Sequence, residues 1–235
     1  VPDPGGLEEL LNSADLYQTK SGPVIIMGNG PSLNDISDEF LAKYPTFGCN
    51  TIHLRKGFKP SYWAAADSWV MNWAKEVEEL YPDIPKFYMA PTPFEKRQQY
   101  YKDGCLVGPG GMAFSPERSE RYYAFVRAGG PVELNPKELH PGYLTDPGIA
   151  FKGITHAMIQ IALFMGHDTF YLVGCDNTGG GQHFYEDKLN DFELDEDLWT
   201  WAFNTLQVSL IPRMIVNLST RGEIKGIPRA DWRNL

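Results

Sequence analysis

Gly28-Asn29-Gly30-Pro31-Ser32-Leu33 directly follows the apolar run 24–27 and opens a helix-like stretch. Glycines at such a turn let the backbone bend sharply and approach a ligand closely. N–H groups at a helix start favour an anion, typically a phosphate. Gly28, Asn29, Gly30 and Ser32 are therefore candidate nucleotide- or phosphate-binding residues. Ser32 and Asp35, three apart, have the spacing of a capping box. The stretch is not the dinucleotide fingerprint, which needs glycine where Leu33 stands, nor a P-loop, which needs Gly-Lys-Ser/Thr. A plain strand-to-helix turn accounts for it equally well.

Polar residues close three other apolar runs: Asn50 after 46–49, Asp67 after 62–66 and Asp176 after 169–175. In an open α/β sheet, ligands bind outside the carboxyl ends of strands. Asn50 offers a donor and an acceptor to a base or ribose. Asp67 and Asp176 suit ribose hydroxyls, a metal or the orientation of a base. Each is equally at home as a loop cap, because Asn and Asp favour turns. Together with the glycine turn they form a constellation. Gly153 and Thr155 open a second helix and could aim its N-terminus at the same phosphate.

His183, in Gly181-Gln182-His183-Phe184-Tyr185, is the candidate general base; a solvated loop histidine is the plainer reading. His167, just past a helix, is expected to be exposed. No HExxH, cysteine pair, EF-hand loop or Gly-x-Ser-x-Gly elbow is present, so no metal ligands are assigned. Asp187, Asp191, Glu193, Asp195, Glu196 and Asp197 read as a solvated acidic face. Arg213, Arg221, Arg229 and Arg233 either face an anionic ligand or offset the acidic remainder.

These residues need a scaffold. Apolar runs at 24–27, 46–49, 62–66, 86–89, 169–173 and 214–216 read as strands. Their near-continuous hydrophobicity implies cover on both faces and a largely parallel sheet. Ile154, Ala157, Met158, Ile161, Ala162 and Met165 mark a helix over 152–165 with one buried stripe, capped by Gly166. Further helices are expected at 6–13, 33–43, 68–80, 116–128 and 197–208. Residues 90–115 and 129–150 are rich in Pro and Gly and read as irregular. Residues 177–198 read as a mobile lid. The expected fold is one Rossmann-like α/β nucleotide-binding domain over 1–235, with a largely parallel sheet, helices on both faces and a short lid insertion.

Composition narrows the function. The 235 residues carry 21 basic and 30 acidic side chains, a formal charge of −9, which argues against a nucleic-acid partner. No apolar run approaches the roughly 20 residues of a membrane span, and residues 1–11 do not resemble a signal peptide. Cys49, Cys105 and Cys175, sparse and without CxxC spacing, read as reduced thiols of a cytoplasmic protein.

The block Gly153-Ile154-Thr155, Met158, Gln160-Ile161-Ala162, Met165-Gly166 and then Phe170-Tyr171-Leu172-Val173-Gly174-Cys175-Asp176 resembles a bacterial and phage family grouped with the MptE-type 6-hydroxymethylpterin diphosphokinases. The turn at 28–33 and the ending Asn217, Ser219, Gly222, Ile224, Ile227-Pro228 resemble it too. The turn, Cys49-Asn50 and Gly174-x-Asp176 are also similar to bacterial CMP-sialic-acid-dependent, metal-independent sialyltransferases. That resemblance implies nucleotide contacts from Asn29, Asn50 and Thr155. Asp67 falls near a position where those enzymes carry a nucleotide-contacting Asn. Their catalytic His lies on a lid farther along than His183, so that match is one of position.

The expected function is a sialyltransferase-like glycosyltransferase that moves a sugar from a nucleotide donor, such as a CMP-sugar, to an acceptor hydroxyl. The alternatives are an MptE-like, Mg-dependent diphosphokinase acting on a pterin-like alcohol, and a noncatalytic nucleotide-binding module. The expected partners are a nucleotide-containing small molecule and a sugar or alcohol acceptor, with a homo-oligomer implied by the related enzymes.

Overall fold

The computed structural model describes Leu16 and residues 18–65, 74–90, 101–102, 105–107, 113–114, 122–126, 153–176, 182–186 and 214–235. The helices expected at 6–13 and 197–208, the stretch 129–150, Asp67, Arg213 and the acidic cluster from Asp187 lie outside the described residues.

Seven strands form one sheet: β1 (Pro23–Met27), β2 (Thr46–Cys49), β3 (Tyr62–Ala65), β4 (Lys86–Ala90), β8 (Tyr122–Val126), β9 (Thr169–Val173) and β10 (Met214–Asn217). Their spatial order is β10-β9-β1-β2-β3-β4-β8, and every pairing is parallel. The protein is thus a Rossmann-like α/β fold. The strands read from the sequence recur within one residue at each end. β5 (Tyr101–Lys102), β6 (Cys105–Val107) and β7 (Ala113–Phe114) make a small antiparallel sheet inside the stretch expected to be irregular.

Parallel strands covered on both faces must send alternate side chains into two cores. β1 does this: Val24 and Ile26 enter one core, and Ile25 and Met27 the other. The first core is roofed by α3 (Ile154–Met165), whose residues from Thr155 to Met165 are all buried. The expected single stripe therefore understates its burial. Gly166 ends it at φ 110°, as the cap reading requires. The second core gathers Leu33, Phe40 and Leu41 from the segment after β1, with Val77 of α2 (Ala74–Leu80).

Two helix expectations are corrected. The segment 33–43 is broken into a 3-10 turn, Pro31–Asp35, and a single helical turn, α1 (Asp38–Leu41). The cause is competition for the backbone. Arg55 donates to the carbonyls of Leu33 and Ile36 at 2.6 and 2.8 Å, and Ser37 Oγ caps Phe40 N–H at 3.2 Å, which restarts the helix. The helix expected over 116–128 contains β8 instead. Tyr122, Tyr123, Phe125 and Val126 are residue types that suit a strand, and the edge of β4 supplies the pairing.

Candidate functional site

Strand order locates the site. From β1 the chain winds outward through β2, β3 and β4, then returns to place β9 on the other side of β1. The order reverses between β1 and β9, and the crevice outside the carboxyl ends at such a reversal is where doubly wound folds bind ligands. The residues that leave β1 and β9 there are Gly28-Asn29-Gly30 and Gly174-Cys175-Asp176.

These two loops are bonded to each other. Gly28 N–H donates to Val173 O, Gly30 N–H to Gly174 O and Ser32 N–H to Asp176 Oδ2, each at 2.8 Å. Leu33 N–H returns to Gly30 O at 3.0 Å. These four N–H groups are therefore spent within the chain, and the anion that Ser32 N–H meets is the protein's own carboxylate. The glycines serve this contact. A Cβ on Gly28 would lie 2.4 Å from Gly174 O, and one on Gly30 would lie 2.5 Å from Asp176 Oδ2. Gly174 adopts φ +63° and is equally crowded by Gly28 O, at 2.6 Å. The expected Ser32–Asp35 box does not form: Gly30 is the cap position without a side-chain bond, and Asp35 instead meets Thr220 and Arg221.

Asp176 is 5% exposed, and burial raises its carboxyl above the ordinary aspartate range, opposed by the bonds from Ser32. Its Oδ1 has no hydrogen-bond partner among the described residues. The neighbouring Cys175 thiol is pushed up to about 12 by burial, so it is a protonated core group rather than a nucleophile. Thr155 lies close enough to that thiol to lower its pKa, which brings the start of α3 to the end of β9. Gly153 caps α3, and its N–H goes to His156 Nδ1 at 3.3 Å.

Asn29 turns toward β2. Its Nδ2 donates to Cys49 O and Thr51 Oγ1, both at 3.3 Å. Asn50 closes β2 in the left-handed region, φ 47°, with its N–H on Ala64 O and its carbonyl accepting from Trp63 Nε1. Asn tolerates this conformation better than most residues. The amide oxygens of Asn29 and Asn50 are buried and have no partner among the described residues.

Residues 182–186, the described part of the expected lid, are docked on the glycine turn. Phe184 N–H donates to Asn29 O at 2.7 Å, and Asn34 Nδ2 donates to Phe184 O at 2.7 Å. Thr51 Oγ1 donates to the Tyr185 hydroxyl at 3.0 Å. His183 stacks on Tyr185, ring centroids 5.2 Å apart and 11° from coplanar. Its Nδ1 lies 2.8 Å from Glu186 Oε2. These bonds tie residues 182–186 to the glycine turn and to the end of β2.

Nine of the ten residues singled out from the sequence are described; the tenth is Asp67. The fold gathers Gly28, Asn29, Gly30, Ser32, Asp176, Thr155 and Asn50 around the ends of β1, β2 and β9, with His183 beside them through Phe184 and Tyr185. Gly153 is one step removed. Thr51, Tyr185 and Glu186 were missed, although each lies within three residues of one that was named. His167, expected at the surface, is 1% exposed, with Nδ1 3.1 Å from Gly22 O, and burial lowers its pKa. The arginines answer to the chain: Arg221 pairs with Asp35, Arg233 with Asp231, and Arg229 donates to the carbonyls of Gly222 and Ser219. No group of three His, Cys, Asp or Glu suited to a metal occurs among the described residues. No helix among them is long and apolar enough to cross a membrane.

No protein-family model matches the chain, and no curated protein does. Solved structures do. The MAf glycosyltransferase from Magnetospirillum magneticum AMB-1 matches with TM-score 0.50 at 16% identity over 98% of this chain; the chain spans 39% of that protein's length. The sialyltransferase CstII from Campylobacter jejuni, in complex with cytidine-5'-monophosphate, matches with TM-score 0.54 at 15% identity over 89% of this chain and 85% of the enzyme. The same enzyme with CMP-3FNeuAc gives 0.50 and 14%. At these identities the likeness is one of fold.

Proposed function

We propose that this chain is a glycosyltransferase that takes its sugar from a nucleotide-activated donor of the CMP type. The observation that carries the reading is the pair of buried amide oxygens of Asn29 and Asn50, without a hydrogen-bond partner among the described residues, at the carboxyl ends of adjacent strands beside the β1/β9 reversal. A buried acceptor without a donor costs about 1–3 kcal/mol. The amino and hydroxyl donors of a nucleotide's base and ribose answer both. The similarity of fold to two glycosyltransferases, one holding cytidine-5'-monophosphate, supports the same reading.

In this reading Gly28, Gly30 and Ser32 shape the turn and fix Asp176, rather than wrapping a phosphate with their N–H groups. Asp176 Oδ1 and Thr155 border the ligand from the β9 side. His183 acts as general base on the acceptor hydroxyl, and the departing nucleotide phosphate is stabilised electrostatically. Asp67, two residues after β3 in the sequence, is assigned to the same nucleotide on that position alone.

The test is CMP binding by calorimetry without divalent metal, on the wild type and Asn50→Gly. Glycine adopts the left-handed conformation freely, so the backbone is retained and only the amide is removed. Binding is expected to weaken about 5- to 20-fold, the worth of one or two hydrogen bonds. An Asn50→Gly variant that binds CMP as tightly as the wild type, or a wild type that binds no cytidine nucleotide, refutes the assignment.

A further inference from the structure

Glu186 lies one helical-turn spacing beyond His183, and one of its carboxylate oxygens is shared between two donors of that residue. Oε2 accepts the backbone N–H of His183 at 3.0 Å and faces ring Nδ1 at 2.8 Å. Glu186 N–H in turn donates to His183 O at 3.1 Å, closing the four-residue turn. The ring is held flat by Tyr185, and Tyr185 is held by Thr51 on the β2 side. The two side chains are 35% and 29% exposed, so neither is withdrawn from a ligand.

We propose that Glu186 is the positioning residue of the site: it accepts the hydrogen bond of the His183 Nδ1–H and so leaves Nε2 as the basic nitrogen. A neutral imidazole carries one proton, and the hydrogen bond made by one nitrogen decides which nitrogen is bare. A carboxylate at 2.8 Å accepts only, so it selects the Nδ1–H form. The backbone N–H on the same oxygen fixes the carboxylate's orientation, so the selection does not depend on a freely rotating side chain. When an acceptor hydroxyl gives its proton to Nε2, the ring becomes an imidazolium, and Glu186 lies against the developing charge. Only this last use of the pair rests on the transferase reading.

The experiment reads the tautomer directly. Protein labelled with 15N-histidine is examined by long-range 1H–15N correlation at a pH where the imidazoles are neutral, with the His183 signal identified by its loss in His183→Asn. Wild-type His183 is expected as Nδ1–H with bare Nε2, and Glu186→Ala as the reverse. Glu186→Gln restores the wild-type pattern, because the His183 backbone N–H requires the amide oxygen, not the NH2, at that position. A wild-type Nε2–H ring, or a Glu186→Ala ring unchanged from wild type, overturns the proposal. Turnover of a CMP-sugar is then expected to fall about 10-fold or more in kcat in Glu186→Ala, with the donor KM unchanged and partial recovery in Glu186→Gln. Equal turnover in wild type and Glu186→Ala overturns the catalytic use of the pair. A tautomer as expected in a protein that turns over no nucleotide-sugar refutes the transferase reading and leaves the pairing standing.

Discussion

Replacing Gly30 with alanine tests whether the glycine turn exists for a ligand or for the chain itself. Gly30 has φ −68° and ψ 158°, an extended conformation that alanine adopts without strain. On backbone grounds alone the change should stabilise by about 0.4–1 kcal/mol through the unfolded state. The contacts argue the other way. The new Cβ would lie 2.5 Å from Asp176 Oδ2 and 2.7 Å from Gly174 O, so both loops must part by roughly 0.7–0.9 Å to reach ordinary contact at 3.4 Å. Overpacking of this kind costs about 1–3 kcal/mol. The displacement also strains the Ser32 N–H bond to the Asp176 carboxylate, a class worth about 1.5–3 kcal/mol. The net expectation is a loss of about 3 kcal/mol, or about 6–12 °C in the unfolding midpoint of a domain this size. Gly57→Ala is the control. Its φ of +79° disfavours alanine, but nothing lies within 4 Å of its Cβ, so only the conformational penalty of about 1 kcal/mol applies. Urea and thermal unfolding of both variants provide the comparison. If Gly30→Ala loses no more than Gly57→Ala, the close approach of the β1 and β9 loops is not what requires glycine there.

Burial raises the Asp176 carboxyl, so its contribution to stability is greatest when it is protonated. That contribution falls as pH rises through the unfolded value near 3.8 toward the raised native value. Asp176→Asn removes this fall, so the variant's midpoint relative to wild type should climb between pH 4 and pH 7; a constant or declining difference would count against a buried charge. Tyr185→Phe removes the acceptor of the Thr51 hydroxyl while keeping the ring under His183. It should cost about 0.5–1.5 kcal/mol and speed amide exchange at Phe184; unchanged exchange there would mean that Tyr185 does not anchor the segment.

The strands were legible because a parallel sheet covered on both faces requires near-continuous apolar runs, clearest at 169–173 and weaker at 46–49. The long helix was legible for the same reason: its apolar residues recur at the helical period, and glycine follows. The weaker helix readings failed where the decisive partner is remote. Arg55 takes the Leu33 and Ile36 carbonyls from 19 to 22 residues away, and β4 recruits 122–126 as a strand. No local pattern carries that information.

The site divides along the same line. Sequence alone determined that Asn29, Asn50 and Asp176 terminate strands and therefore share one edge of the sheet, because strand ends are local and parallel strands put their carboxyl ends together. It left open what the glycines contact and what the turn's N–H groups bind. Tertiary structure decided that β9 returns beside β1, so that Gly28, Gly30 and Ser32 meet Gly174 and Asp176 across 144 residues of chain, and the expected anion became an internal carboxylate. It also decided which polar atoms are left over: the Asn29 and Asn50 amide oxygens face no donor among the described residues, and whether a hydrogen bond is satisfied depends on three-dimensional neighbours that residue order does not specify.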